Sequence, residues 1–278
     1  QSTQANLAES GDYDLIVLVS YNHTEALTQN AVEYPDQNWM LINAHVDEPN
    51  VAGYTWANHE MSFLAGVAAA TMTTKDFSTG DYSTDPDGKT IGFAGGVDGA
   101  LIQAFEESYI AGAEYVDSEV EVLTGYGGTF EDPAQVKSVA DSQYGNGADI
   151  VYHAAAAAGE GAFQAAQEAN RYAIGVDSDQ SQSLSDYSDV ILGSAVKFIN
   201  EGTREVANAV VDDDFGSVQG SNLLGIEEEG VDFVIGQNFT DDSDNPLPDD
   251  VSTNVQDAKD DITGGNVDVP CSASGCNN

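Results

Sequence analysis

The residues that could do chemistry here sit where strands end. The apolar run YAIGV is followed by Asp177, in Asp177-Ser178-Asp179-Gln180. A carboxylate at such a position can accept two hydroxyl hydrogen bonds at once, and vicinal ribose hydroxyls are a target of that shape. The competing assignment is a solvated Asp in a chain full of them; position at a strand end brings the binding role level with it. Lys197 follows VILGSAV directly and is one of only seven cations in the chain. It could hold a polar or anionic group or pair with Asp177; otherwise its stem simply packs on apolar surface. Asn43 ends WMLIN and Tyr21 ends YDLIVLVS. An amide can read a base edge and an aromatic ring can stack, though either residue could equally cap a turn. Phe163, in GEGAF, is a further stacking candidate, set against ordinary core packing.

Other chemistries find no footing. The four histidines, His23, His45, His59 and His153, lack metal-ligand spacing such as HExxH. There is no GxSxG elbow. Gly95-Gly96-Val97-Asp98-Gly99 after TIGFA allows a tight turn and close backbone approach, but it is not GxGxxG and lacks the acidic residue a dinucleotide site requires. No catalytic residue, metal or cofactor is expected. Cys271 and Cys276 could close a small disulfide loop in an extracellular setting. Asn22-His23-Thr24 and Asn238-Phe239-Thr240 are glycosylation sequons and weak pointers to surface location.

These positions need strands to carry them. Short apolar runs alternate with amphipathic segments, the pattern of βαβ units and a parallel sheet. Strands are expected at Tyr13–Ser20, Trp39–Ala44, Val51–Tyr54, Thr90–Ala94, Val120–Thr124, Ile150–Ala154, Tyr172–Val176 and Val190–Ala195. Helices are expected at Thr24–Tyr34, with Ala26, Leu27, Ala31 and Val32 on one face, and at Met61–Thr71, Leu101–Ala113, Pro133–Tyr144, from Gly161, Lys197–Val211 and Val251–Ile262. A hairpin is expected around Leu223–Ile235, and polar Lys75–Gly88 reads as a loop or lobe boundary. The expected organisation is two doubly wound lobes: residues 1–87 with 190–230, and 88–189 with 231–278. Ligands of such folds lie outside the carboxyl ends of strands, here expected between the lobes.

Charge speaks to habitat. Forty-eight Asp and Glu against seven Lys and Arg give a formal net charge of −41. Like charge at this density repels in dilute buffer and is screened in brine, so a haloarchaeal or similarly salt-adapted source is expected. Hydrophobic residues make up 41% of the chain, which argues against an acidic disordered protein. Nucleic acid is not expected as a partner, because phosphate binding needs clustered cations. No run reaches the roughly 18 apolar residues of a membrane helix.

The run from Thr90 to Gln180 resembles the basic membrane protein (BMP) family of substrate-binding lipoproteins of ABC transporters, whose characterised members include purine-nucleoside receptors. The pieces that carry the resemblance are TIGFAGGVDGALIQAFEESYIAGAEYV, VEVLTGYGGTFEDPAQVKSVADSQYGNGADIVYHAAAAAGEGAF and YAIGVDSDQ. EYPDQNWMLINAHVDEPNVAGYTWANHEMSFLAGVAA and GSAVKFINEGTREVANAV extend it over nearly the whole chain. It implies a type I periplasmic-binding fold of two Rossmann-like lobes, an extracellular location on a lipid anchor, and a permease partner. By matching position, Asp177 would hold ribose hydroxyls and Lys197 would line the same site. Asn43 stands where the family often has Asp, while Phe163 and Tyr21 would neighbour the base.

Two departures shape expectation. Gln1–Ser10 resembles the helix before the family's third strand, so the first βαβ unit and the lipobox cysteine are not in this sequence. The strand Tyr13–Ser20 should then expose an apolar edge. That edge suggests an alternative, a self-assembling extracellular filament subunit with another chain covering it.

Overall fold

A computed structural model of the chain describes residues 2–271 and divides it into two compact units. The first holds residues 2–57 and Phe198–Gly230; the second holds Asn58–Lys197 and 231–271. The division after Ala57 replaces the expected boundary near residue 87, and the strand expected from Val190 belongs to the second unit up to Lys197.

The first unit begins with α1 (Ser2–Ser10), β1 (Leu15–Val19), α2 (Thr24–Glu33), β2 (Asn38–Ile42) and β3 (Val51–Trp56). It is completed by α8 (Ile199–Val211) and β11 (Gly220–Leu224). Its parallel sheet runs β1-β2-β3-β11. Ile16, Leu18, Leu27, Ala31, Trp39, Leu41 and Val51 form one core cluster of this unit. Beside it Asn30 Nδ2 donates to Gln4 Oε1 at 2.8 Å, and Gln4 Nε2 lies 3.2 Å from His23 Nδ1, which ties α1 to α2. On the interior strand β3, Tyr54 donates to Glu205 of α8 at 3.0 Å. Val32, expected on the buried face of α2, is exposed; Asn30 takes the inward position instead. β1 lies at the sheet edge, with Ile16 and Leu18 buried and Val17 and Val19 turned out, Val19 being 62% exposed. The edge exposure expected of this strand is thus a feature of the unit as described.

The second unit contains α3 (Asn58–Thr73), the short strands β4 (Ser78–Thr79) and β5 (Tyr82–Ser83), β6 (Thr90–Gly95), α4 (Ala100–Val116), β7 (Glu121–Tyr126), α5 (Pro133–Gly145), β8 (Ile150–Ala154), α6 (Glu160–Ala169), β9 (Tyr172–Asp177), α7 (Gln180–Ser183), β10 (Ile191–Lys197), β12 (Val231–Ile235) and α9 (Asp249–Thr263). Its sheet runs β12-β10-β9-β8-β6-β7, parallel except for β12. Every residue of β6 and β8 is buried, as a parallel sheet covered on both faces requires, and this is why those strands read as unbroken apolar runs.

Glycines set how closely α3 and α4 approach. A Cβ on Gly66 would sit 2.1 Å from the Tyr109 carbonyl oxygen, and one on Gly112 would sit 2.0 Å from that of Phe63. This contact anchors α3 in the second unit. Lys75–Gly88, expected as a boundary, instead carries the β4–β5 ribbon, where Tyr82 and Thr79 meet Tyr172. The expected hairpin at Leu223–Ile235 does not form. β11 pairs parallel with β3, while β12 pairs antiparallel with β10 in the other unit, so the chain passes from one unit to the other between these strands.

Candidate functional site

Non-glycine residues with positive φ are uncommon, and here several follow directly on parallel strands. In the first unit they are Ser20 (φ 114°) after β1 and Asn43 (φ 66°) after β2. In the second they are Ala156 (φ 48°) beyond β8 and Asp177 (φ 68°) at the end of β9. Asn and Asp enter the left-handed region most readily because their short polar side chains bond locally. Each unit therefore places strained backbone at the carboxyl ends of its strands, where open α/β sheets bind ligands.

Asp177 and Lys197 are brought together. β9 and β10 are parallel neighbours in which Val196 is opposite Asp177, so Lys197 lies one residue beyond. Lys197 Nζ donates to Asp177 Oδ1 at 2.8 Å. The Lys197 side chain is 9% exposed and that of Asp177 47%. One partner is thus held inside while the carboxylate keeps acceptor sites towards solvent. All seven cations of the chain are ion-paired. Lys197 has the most buried side chain of the seven, the reverse of what a surface cation would show. Arg171 pairs with the fully buried Asp149 at 3.0 Å and is structural: Thr73 and the Asp85 amide also bond that carboxylate.

Behind Asp177 lies a polar network that sequence reasoning did not find. Gln180 Oε1 accepts from the Val176 amide at 2.8 Å and lies 2.8 Å from His153 Nε2. The Gln180 amide donates to Ser194 Oγ at 3.1 Å. Burial lowers the His153 pKa to about 4, against the smaller opposing effects of Gln180 and the Asp177 charge. The available signal was polar residues inside apolar strands: His153 in IVYHA and Ser194 in ILGSAVK. Asp179 is a cap rather than a ligand group, since its Oδ1 accepts from the Ser181 amide and hydroxyl at 3.1 and 2.6 Å.

The remaining candidates separate. Asn43 is exposed at its strand end, and Tyr21, 60% exposed, follows Ser20 in the first unit. Phe163 is fully buried in the second unit's core, edge-on to His153 at 5.0 Å and near Tyr187 at 5.9 Å. That corrects its expected place beside a base: its α6 position turns it into the α5–α6 layer, and it offers no free face. Asn22 is exposed. The Asn238 amide nitrogen already donates to Ser188 and Asp189, at 3.1 and 2.7 Å. Cys271 is disulfide-bonded; Cys276 lies outside the described residues. Among the described residues no cluster of His, Cys, Asp and Glu could hold a metal, and no helix is long and apolar enough to cross a membrane.

Solved structures identify the fold. An ABC transporter system solute-binding protein from Aeropyrum pernix K1 superposes with a TM-score of 0.78 at 24% identity, covering 97% of this chain and 80% of that one. One from Conexibacter woesei gives 0.77 at 19%, covering 98% and 85%. The fold is therefore the periplasmic-binding-protein-like α/β fold. The family model described as ABC transporter substrate-binding protein PnrA-like (Bmp) matches residues 2–273, and the chain belongs to that family. It is 31% identical over 287 residues to "ABC transporter nucleoside-binding protein BmpA" of Lactococcus lactis, across 97% of this chain and 74% of the relative. It is 32% identical over 243 residues to "Basic membrane protein D" of Borreliella burgdorferi, across 84% of this chain and 66% of that relative. The chain spans about half the length of several other basic membrane proteins it matches.

Proposed function

We propose that this protein is an extracytoplasmic receptor that captures a nucleoside, most naturally a purine nucleoside, and delivers it to an ABC permease. The observation that carries the reading is the Asp177–Lys197 pair at adjacent strand ends, with a half-exposed carboxylate backed by a buried ammonium. Asp177 would accept the vicinal ribose hydroxyls, and Lys197 would hold the carboxylate in place through their ion pair. The Lactococcus relative's description as nucleoside-binding supports the ligand class. Binding of this kind involves no bond making, so the protein is read as a carrier and not an enzyme. A lipid anchor and a salt-adapted, haloarchaeal source belong to the same reading, the latter on the charge of −41.

Calorimetry of the full-length protein in multimolar salt with adenosine, guanosine and inosine tests it. A saturable heat with at least one supports the receptor reading, and no heat with any of the three overturns it. A second reading, self-assembly through β1, draws on the outward Val17 and Val19 of that edge strand. Sedimentation in brine separates the two: polymers support assembly, and a monomer at all concentrations rejects it.

A further inference from the structure

We infer that Gln180 and His153 are positioning residues for Asp177: Gln180 ties the Val176 amide, one residue before Asp177 in β9, to His153 of β8 and Ser194 of β10, and so holds the carboxylate in the left-handed backbone conformation that points it at a ligand. The inference rests on the receptor reading for its functional consequence and on the backbone alone for its structural one.

The geometry permits little else. Asp177 sits at φ 68°, in the left-handed region, which Asp enters more readily than most residues but which is still sparsely populated. The amide of the preceding residue, Val176 N–H, donates to Gln180 Oε1 at 2.8 Å. Because that oxygen accepts from a backbone N–H, it is the carbonyl end of the side chain, and it can only accept from His153 as well. His153 Nε2 therefore carries the proton, and the ring is the neutral Nε2–H tautomer. His153 Nδ1 has no hydrogen-bond partner among the described residues. The ring is fully buried, so charging it would need an acceptor the site does not offer.

Two glycines are shaped around this network. A Cβ on Gly175 would lie 2.5 Å from Ser194 Oγ and 2.8 Å from Gln180 Oε1. A Cβ on Gly159 would lie 2.0 Å from the His153 ring. Side chains at either position would expel the network, although neither glycine has a positive φ that would by itself require glycine. The chain's other fully buried polar groups near this end, Ser181 and Ser194, belong to the same lattice: Ser181 Oγ accepts from the Gln237 amide at 2.9 Å, fixing the turn after β9 to the segment after β12.

The test compares wild type with Gln180→Met, which removes the shared acceptor, and Gln180→Glu, which keeps an acceptor for both donors. In crystal structures we expect Gln180→Met to release Asp177 from positive φ and lengthen its contact to Lys197, with Gln180→Glu preserving both. In nucleoside titrations we expect Gln180→Met to weaken binding at least tenfold and Gln180→Glu to stay within about threefold of wild type. Nitrogen NMR should find Nε2 protonated in wild-type His153, with its titration moved upward in Gln180→Glu, a change that a space-filling role would not produce. Gly175→Ala is a second disruption should Gln180→Met not fold. If the disrupted variant keeps Asp177 at positive φ in contact with Lys197, the inference is overturned. If wild type binds no nucleoside, the receptor reading fails and the crystallographic arm alone decides the positioning role.

Discussion

Lys197 and Asp177 meet at 2.8 Å across the ends of two parallel strands, the ammonium inside and the carboxylate at the surface. In a chain with 48 carboxylates and seven cations, this is the one cation committed almost wholly to the interior. Lys197→Met should therefore leave the fold largely intact, because the half-exposed Asp177 can be solvated. Ligand affinity should fall about 10- to 150-fold, the equivalent of about 1.5–3 kcal/mol for a lost charge-assisted bond. Paired melting and titration curves check this; equal affinity in the variant would remove Lys197 from the site.

His153 gives the protein an acid-sensitive step. Its folded-state pKa of about 4 lies below the unfolded value near 6.5, so between those limits the unfolded chain binds the extra proton. Stability is unaffected above about pH 6.5 and declines as pH falls towards 4, by about 3 kcal/mol at most. Many carboxylates titrate at the lower end of the same range, so the comparison with His153→Met isolates the effect. The difference in unfolding free energy between the two proteins should change across this window and be flat above it.

Close packing of α3 on α4 makes Gly66 and Gly112 intolerant of a methyl group. Gly112→Ala would put carbon 2.0 Å from the Phe63 carbonyl oxygen, and relief requires the helices to separate. A loss of about 1–3 kcal/mol or more is expected, seen as a melting point several degrees lower. Gly99→Ala, with nothing within 4 Å of the new atom, is the control and should be near neutral.

The charge of −41 predicts salt dependence. Raising potassium chloride from 0.1 M to above 1 M shortens the screening length from about 10 Å to about 3 Å. The melting temperature should rise steadily over that range. A melting temperature independent of salt would contradict the reading of the acidic composition as brine adaptation.

Much of the fold was legible because parallel strands are apolar on both faces. TIGFA, IVYHA and YAIGV announce themselves, and Asp177 follows from where YAIGV stops. Partners were less legible than elements. The small residues of α3 show that something approaches closely, but not that it is α4, and so the unit boundary was placed too late. Leu223–Ile235 looked like a hairpin because both strands are short and close in sequence; which sheet each joins depends on long-range pairing with β3 and β10. For Phe163 the residue type favours core packing over a ligand contact, and its helix face makes it core. The His153–Gln180–Ser194 network was hidden because its members are separated along the chain and two of them interrupt strands otherwise read as plain core.

The central claim is that Asp177 recognises ribose hydroxyls, and the most direct measurement is discrimination between a nucleoside and its 2′,3′-dideoxy analogue by wild type and Asp177→Asn. Wild type should prefer the ribonucleoside by about 100-fold or more, since losing hydroxyl partners to a charged acceptor costs about 1.5–3 kcal/mol per bond. Asp177→Asn should bind the ribonucleoside far more weakly and lose most of that preference. Equal preference in the two proteins would contradict the account.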